Sequence, residues 1–190
     1  MITGLCRATS WTVTLVVVLT VGLGAHAYKV DKSKVVITCP LTVGGSFEAR
    51  ATAVAGEMRS APGKRLEGRL QVDLRSIETG IALRDRHMKE NYLEVGRPGF
   101  DRAVLEQVQL ERMNGSTPFT GLLTLHGRQR AIAGTATLQE TRDGLRVEAE
   151  FPVRLAEFAI AEPTYLGVGV ASEVRVRVLL TVSRAETTTE

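Results

Sequence analysis

Period-two alternation constrains this chain more than any other feature. In Arg69–Arg75 (RLQVDLR) every even position is apolar and every odd one polar. Leu145–Val153 (LRVEAEFPV) places Leu145, Val147, Ala149, Phe151 and Val153 on one face, and Arg146, Glu148 and Glu150 on the other. Val174–Val182 (VRVRVLLTV) gathers Val174, Val176, Val178, Leu180 and Val182 in the same way. A strand buried on one side and wet on the other gives this signal, whereas a helix scatters alternate residues around its cylinder. Less regular strands are expected at Val35–Leu41, Ser46–Val54, Arg102–Leu110, Phe119–Leu125 and Arg130–Leu138. Turn chemistry separates the segments at Gly44-Gly45, Pro62-Gly63, Asn114-Gly115, Gly127 and Asp143-Gly144. The pattern predicts an all-β fold of about eight strands with one short helix near Thr79–Leu93. One short helix cannot cover the apolar face of such a sheet, so a sandwich or a closed barrel remains.

The ends of the chain read differently. Met1–Ser10 carries one base, Arg7, and no acid; Trp11–Gly24 (WTVTLVVVLTVGLG) is apolar; Ala25-His26-Ala27 is a small-x-small triplet. These are the n-region, h-region and cleavage site of a signal peptide over residues 1–27, and the apolar run falls short of the roughly 20 residues of a membrane-spanning helix. Cleavage after Ala27 delivers a periplasmic or secreted protein with no integral membrane span; retention of the segment as an anchor is the alternative. A domain over 28–184 and a disordered tail over 185–190 (AETTTE) follow. The 24 bases less Arg7 leave 23 against 21 acids, so the domain is nearly neutral, and with no basic run or aromatic–basic face nucleic acid is excluded as a partner. Of the 2 cysteines only Cys39 survives cleavage, which rules out an internal disulfide.

The inward positions carry mostly Val, Leu, Ala, Ile and Gly. An eight-stranded barrel of this size is either filled by its side chains or holds one small ligand, and periodicity leaves the choice open. If the interior is hollow, Phe47, Leu70, Val72, Leu74, Phe119, Val147, Phe151, Val176, Val178 and Leu180 are the candidate contacts, and the ligand is greasy, since burying a lipid tail gains about 0.8 kcal/mol per methylene.

The run SIETGIALRDRHMKENYL, Ser76–Leu93, concentrates charge. Thr79 is the expected N-cap, and Gly96 and Pro98 the stop. Ile81, Met88 and Tyr92 share a face and are expected to seal the interior, with Arg84 and Asp85 as an ion-paired brace and Asp85–Lys89 as a surface pair. Arg84, Asp85, His87 and Tyr92 are the candidates for the barrel end or for a ligand's head group. Asp85 and His87 lie two apart and point to different sides of a helix, so they form no local catalytic dyad. His87, His126 and Cys39 lie in distant segments without metal-ligand spacing, so neither a metal nor a cofactor is expected.

At this helix a resemblance becomes specific. Val72–Glu94 (VDLRSIETGIALRDRHMKENYLE) resembles the signature of the YceI-like family, a strand ending in a Ser-x-x-Thr-Gly turn followed by an Arg-Asp-x-His helix; Ser76, Thr79, Gly80, Arg84, Asp85 and His87 match. Gly121–Arg130 (GLLTLHGRQR) and Phe151–Ile160 (FPVRLAEFAI) are similar to two later family segments, in order. The resemblance implies an extended lipocalin-like barrel of eight antiparallel strands, in exported and mostly bacterial proteins. It also implies an isoprenoid or other long-chain lipid inside, ubiquinone-like ones included, and no catalytic activity. A homodimer is left open. The chain departs from the pattern at Lys32-Ser33, at Cys39 where a histidine is usual, at Glu157 for aspartate and at Ala159 for glycine. The other readings are an enzyme acting on a lipid-like substrate through His87 and Asp85, and a filled-barrel envelope module without ligand.

Overall fold

The structure, a computed structural model, describes residues 27–62, 65–165 and 167–184. The signal-peptide reading of 1–27 lies outside them except for Ala27, and the tail 185–190 lies outside altogether. The described residues are mostly β, a closed barrel of eight antiparallel strands with one short helix of 11 residues.

The strands are β1 (Ala27–Pro40), β2 (Ser46–Ala51), β3 (Val54–Ala61), β4 (Arg65–Asp73), β5 (Arg102–Leu110), β6 (Gly115–Leu125), β7 (Arg128–Glu140), β8 (Gly144–Arg154), β9 (Thr164–Tyr165), β10 (Val168–Gly169) and β11 (Glu173–Arg184). Around the barrel the order is β11-β8-β7-β6-β5-β4-β3-β1, and β11 pairs with β1 to close it. Closure removes the long exposed sheet edges on which another chain could template, leaving only the short outer edge of β2. The β9–β10 hairpin stands apart from the barrel sheet.

Strands β2 and β3 are two halves of one barrel strand. Val35 faces Ala51 and Tyr28 faces Met58, so β2 and β3 pair with β1 in a single unbroken register. The break at Thr52-Ala53 changes the other edge. Below it, β3 pairs with β4 from Val54↔Val72 to Ala61↔Arg65. Above it, the outer edge of β2 is left by β4 and carries only the bridge Arg50↔Glu78, whose two backbone bonds measure 2.8 and 2.9 Å. The barrel wall therefore parts at one end, and the segment leading into the helix hangs on the freed edge.

Both described chain ends, Ala27 and Arg184, lie at the opposite, closed end, since Tyr28 pairs with Arg184. That end is filled: Leu66, Leu138, Leu145 and Val182 are almost wholly buried. At the open end β6 and β7 are joined by the two residues His126 and Gly127, both with positive φ (50° and 69°). Positive φ at both centres defines the tight hairpin turn whose twist matches the strands, and glycine is at home there.

The structure corrects the strand limits. The strand expected at Ser46–Val54 breaks at Thr52-Ala53 and continues as Val54–Ala61, most of which the sequence pattern assigned to no element; β1 begins at Ala27 rather than Val35; and β4 ends at Asp73, with Leu74 in a short turn of 3-10 helix. Leu74 stays buried there.

Candidate functional site

The open half of the barrel encloses a cavity of about 850 Å³, within the size range of ligand pockets. On β1 the alternate residues Val35, Ile37 and Cys39, with Leu41 just beyond, line it; six steps at about 3.3 Å give a wall roughly 20 Å long. The wall is hydrocarbon almost throughout. Its polar groups, Ser46, Arg84, His87, Tyr92 and Thr164, belong to the segments around the mouth.

Of the ten apolar candidates, Phe47, Leu70, Val72, Leu74, Phe151, Val176 and Val178 line this cavity. Phe119, Val147 and Leu180 do not; they are buried in the filled half. The dividing floor is aromatic. Phe119 and Phe151 meet edge to face at 5.8 Å between ring centroids, with Phe151 on the cavity side.

The helix comprises α1 (Ala82–His87) and a wider π-turn, Met88–Tyr92. No residue of α1 is fully buried; Ile81 is 54 % and Leu83 50 % exposed although both border the cavity. Met88 and Tyr92 also border it and are half-buried. The helix thus leans over the mouth and does not seal it, a correction to the expected plug.

Its mooring also differs from expectation. The N-cap position is Ile81, with no side-chain cap. Thr79 instead lies two residues earlier and ties the turn together. Asp85 Oδ1 accepts from the Thr79 backbone N–H (2.7 Å) and from its hydroxyl. Arg84 Nε donates to Thr79 Oγ1 (2.8 Å) and Arg84 Nη2 to the Thr79 carbonyl (3.1 Å). Arg84 and Asp85 are joined through this threonine, and among the described residues no ion pair joins them directly or joins Asp85 to Lys89. Asp85, turned back to Thr79, does not border the cavity. Arg84 does, with its guanidinium 4.1 Å above the Phe47 ring. Two of its five N–H groups serve Thr79 and the plane is fixed on Phe47, which leaves the remaining donors aimed from a rigid mount.

His87 borders the cavity, and no hydrogen bond links it to Asp85 among the described residues. The proposed dyad is therefore not assembled. Likewise, no cluster of three or more metal-ligating side chains occurs among the described residues. Cys39 has no disulfide partner among the described residues, and burial pushes its thiol up to about 11, partly opposed by the nearby Arg84 charge.

Two parts of the mouth escaped the sequence reading. One is the β9–β10 hairpin, clasped to the β1–β2 turn: Thr42 N–H donates to the Gly169 carbonyl (2.9 Å), and Gly169 N–H to Thr42 Oγ1 (3.0 Å). Pro163, Gly167 and Gly169 were the available turn signal. The other is a latch at the end of the helix. His126 Nδ1 donates to the Phe158 carbonyl (3.1 Å), and Nε2 stands 3.0 Å from Glu94 Oε2. Arg97 Nη1 donates to the same oxygen of Glu94 (2.8 Å), and Phe100 packs on the imidazole at 4.3 Å.

An antiparallel barrel, filled at one end and hollow, apolar and open at the other, places this protein in the lipocalin-like class. The YceI-like domain family matches residues 28–182, and the chain belongs to it. Among solved structures the chain is similar to BcnA of Burkholderia cenocepacia (TM-score 0.65, 15 % identity, covering 80 % of this chain and 96 % of that one). It is similar to a polyisoprenoid binding domain from Saccharophagus degradans implicated in plant cell wall breakdown (0.60, 15 %, 83 % and 98 %). The Campylobacter jejuni YCEI protein is a third (0.57, 11 %, 75 % and 86 %). No curated protein matches it. Among the described residues no helix is long and apolar enough to cross a membrane.

Proposed function

We propose that this is an exported lipid-binding protein that holds an isoprenoid or similar long-chain amphiphile in the barrel, tail inward and head beside Arg84, His87 and Tyr92. The observation that carries the reading is the cavity itself: about 850 Å³, walled by hydrocarbon, with its one permanent charge, Arg84, among the described lining residues at the mouth. Water in such a space finds few partners, while each methylene that enters gains about 0.8 kcal/mol. The Saccharophagus degradans neighbour is a polyisoprenoid binding domain, which supports the ligand class. Export rests on the leader-like residues 1–27.

The test is solvent extraction of the natively purified protein followed by mass spectrometry, with binding of isoprenoid probes alongside. A stoichiometric long-chain lipid is expected. No co-purifying lipid together with no probe binding sinks the proposal. Val176→Glu, which puts a charge on the wall, should abolish retention, whereas Arg175→Glu on the wet face should leave it intact.

A further inference from the structure

Among the described residues four large apolar side chains are exposed, and all four stand at one end of the molecule: Val43 at 67 %, Ile81 at 54 %, Leu83 at 50 % and Val168 at 37 %. Ile81, Leu83 and Val168 border the cavity, and Val43 follows Leu41, which does too. They come from three separate segments, the β1–β2 turn, the helix and the β9–β10 hairpin, and the turn and hairpin are clasped by Thr42 and Gly169. Isolated exposed apolar residues are ordinary; a set confined to the rim of an apolar cavity marks a contact surface.

We propose that this rim docks on a lipid bilayer, inserting Val43, Ile81, Leu83 and Val168 into its surface so that the cavity opens directly onto the membrane. Three observations select a bilayer over a second copy of the chain. Four side chains offer at most a few hundred Å², well short of the roughly 800 Å² per partner in a stable interface. The described chain ends, Ala27 and Arg184, lie at the closed end, away from the mouth. The apolar rim is continuous with the apolar wall, and a greasy chain passes between two such phases without crossing water. The neighbouring charges are mixed: Arg86 and Lys89 against Glu78, Glu90 and Glu162. Attachment is therefore driven by insertion, not by attraction to anionic lipid. Use of the dock as a lipid port rests on the cavity reading above; the docking itself does not.

The experiment is flotation of the mature chain, residues 28–190, with phosphatidylcholine vesicles at low and high salt. Wild type is expected to float equally at both, and Ile81→Asp/Leu83→Asp to lose about tenfold or more of its partitioning. Both side chains are already half in water, so the acids bury no charge, and urea unfolding checks that the fold is kept. Val43→Asp is the second, independent variant. Leu83→Trp supplies a fluorophore, since the chain's 1 tryptophan, Trp11, precedes residue 28; its emission should shift to the blue on adding vesicles. No flotation, or flotation unchanged by the rim variants, overturns the proposal. So does binding that needs anionic lipid and vanishes in salt, or a dimer in sedimentation that the rim variants dissociate without any flotation. A protein that floats yet yields no lipid on extraction keeps the dock and loses the cavity reading.

Discussion

At the residue scale, one departure from the family pattern acquires a cause. The segment pattern that this chain resembles has glycine where it has Ala159, and the structure puts that residue at φ 55°, just after the short 3-10 turn Leu155–Phe158. The left-handed region costs a residue with a β-carbon about 1 kcal/mol, which is why glycine ends such turns. Ala159→Gly is therefore expected to stabilise the protein by roughly 0.5–1 kcal/mol, after discounting the extra freedom glycine gains when unfolded. Urea unfolding measures this; a destabilised variant refutes the strain. The substitution was visible in the sequence, but its sign was not, because sign depends on a backbone angle that composition does not report. Thr79 teaches the same lesson. Its place in the motif was legible, yet the rule that a threonine before a helix caps it misled, because Asp85 and Arg84 captured the side chain first.

At the element scale, the strands were legible wherever a strand alternates between wall and water. Val54–Ala61 (VAGEMRSA) was not, because Ala, Gly and Ser leave little hydrophobic contrast between its faces. The two-residue strands β9 and β10 are too short to have any period. The helix was legible as an element, but its posture was not, since tilting over a mouth and plugging it demand the same apolar face. Thr79→Val tests how that helix is held. It removes the hydroxyl between Arg84 and Asp85 while keeping the shape, and should cost about 1–3 kcal/mol by leaving half-buried charged groups short of partners. Hydrogen exchange should rise in residues 79–92 and not in β6 or β7; a uniform rise would mean that Thr79 supports the barrel as a whole. The other fastening, at Glu94, predicts a pH response. The hydrogen bond from Arg97, opposed by burial and aided by His126, holds the Glu94 carboxyl below its usual range. A folded-state value below the unfolded one contributes stability above the unfolded value of about 4.5, lost as pH falls through the folded value. Protection of the amides around Glu94–Phe100, relative to their intrinsic exchange, should thus fall as pH drops below the unfolded value of about 4.5, and Glu94→Gln should show low protection already at neutral pH with that step gone. A step unchanged in Glu94→Gln would assign it to another carboxyl, Asp101 being next, held low chiefly by Arg102.

At the scale of the whole molecule, the barrel divides its labour along its axis. Periodicity told which side chains face inward but not whether opposite walls meet, because that depends on barrel radius and on where the wall parts, and neither leaves a local trace in sequence. Hence Phe119, Val147 and Leu180 read the same as Phe151 and Val178, although they fall in different halves. A sharp consequence can be measured on one strand. Val176 and Val182 are the same residue on the same inward face of β11, with Val176 on the cavity wall and Val182, 1 % exposed, in the filled end between its strand neighbours Val30 and Leu145. Truncating Val182 removes methyl groups from close-packed surroundings and leaves a void, so Val182→Ala should cost about 1.5–3 kcal/mol in the ligand-free protein. The Val176 side chain meets empty space on one side and so has fewer contacts to lose, so Val176→Ala should cost less than about 1 kcal/mol. If a lipid fills the cavity the ranking reverses for binding: Val176→Ala should weaken probe retention and Val182→Ala should leave it unchanged. Urea unfolding of delipidated protein gives the first pair of values and probe displacement the second. Equal stability losses would show that the mouth half is as tightly packed as the closed half, and the hollow barrel would have to be abandoned along with the function built on it.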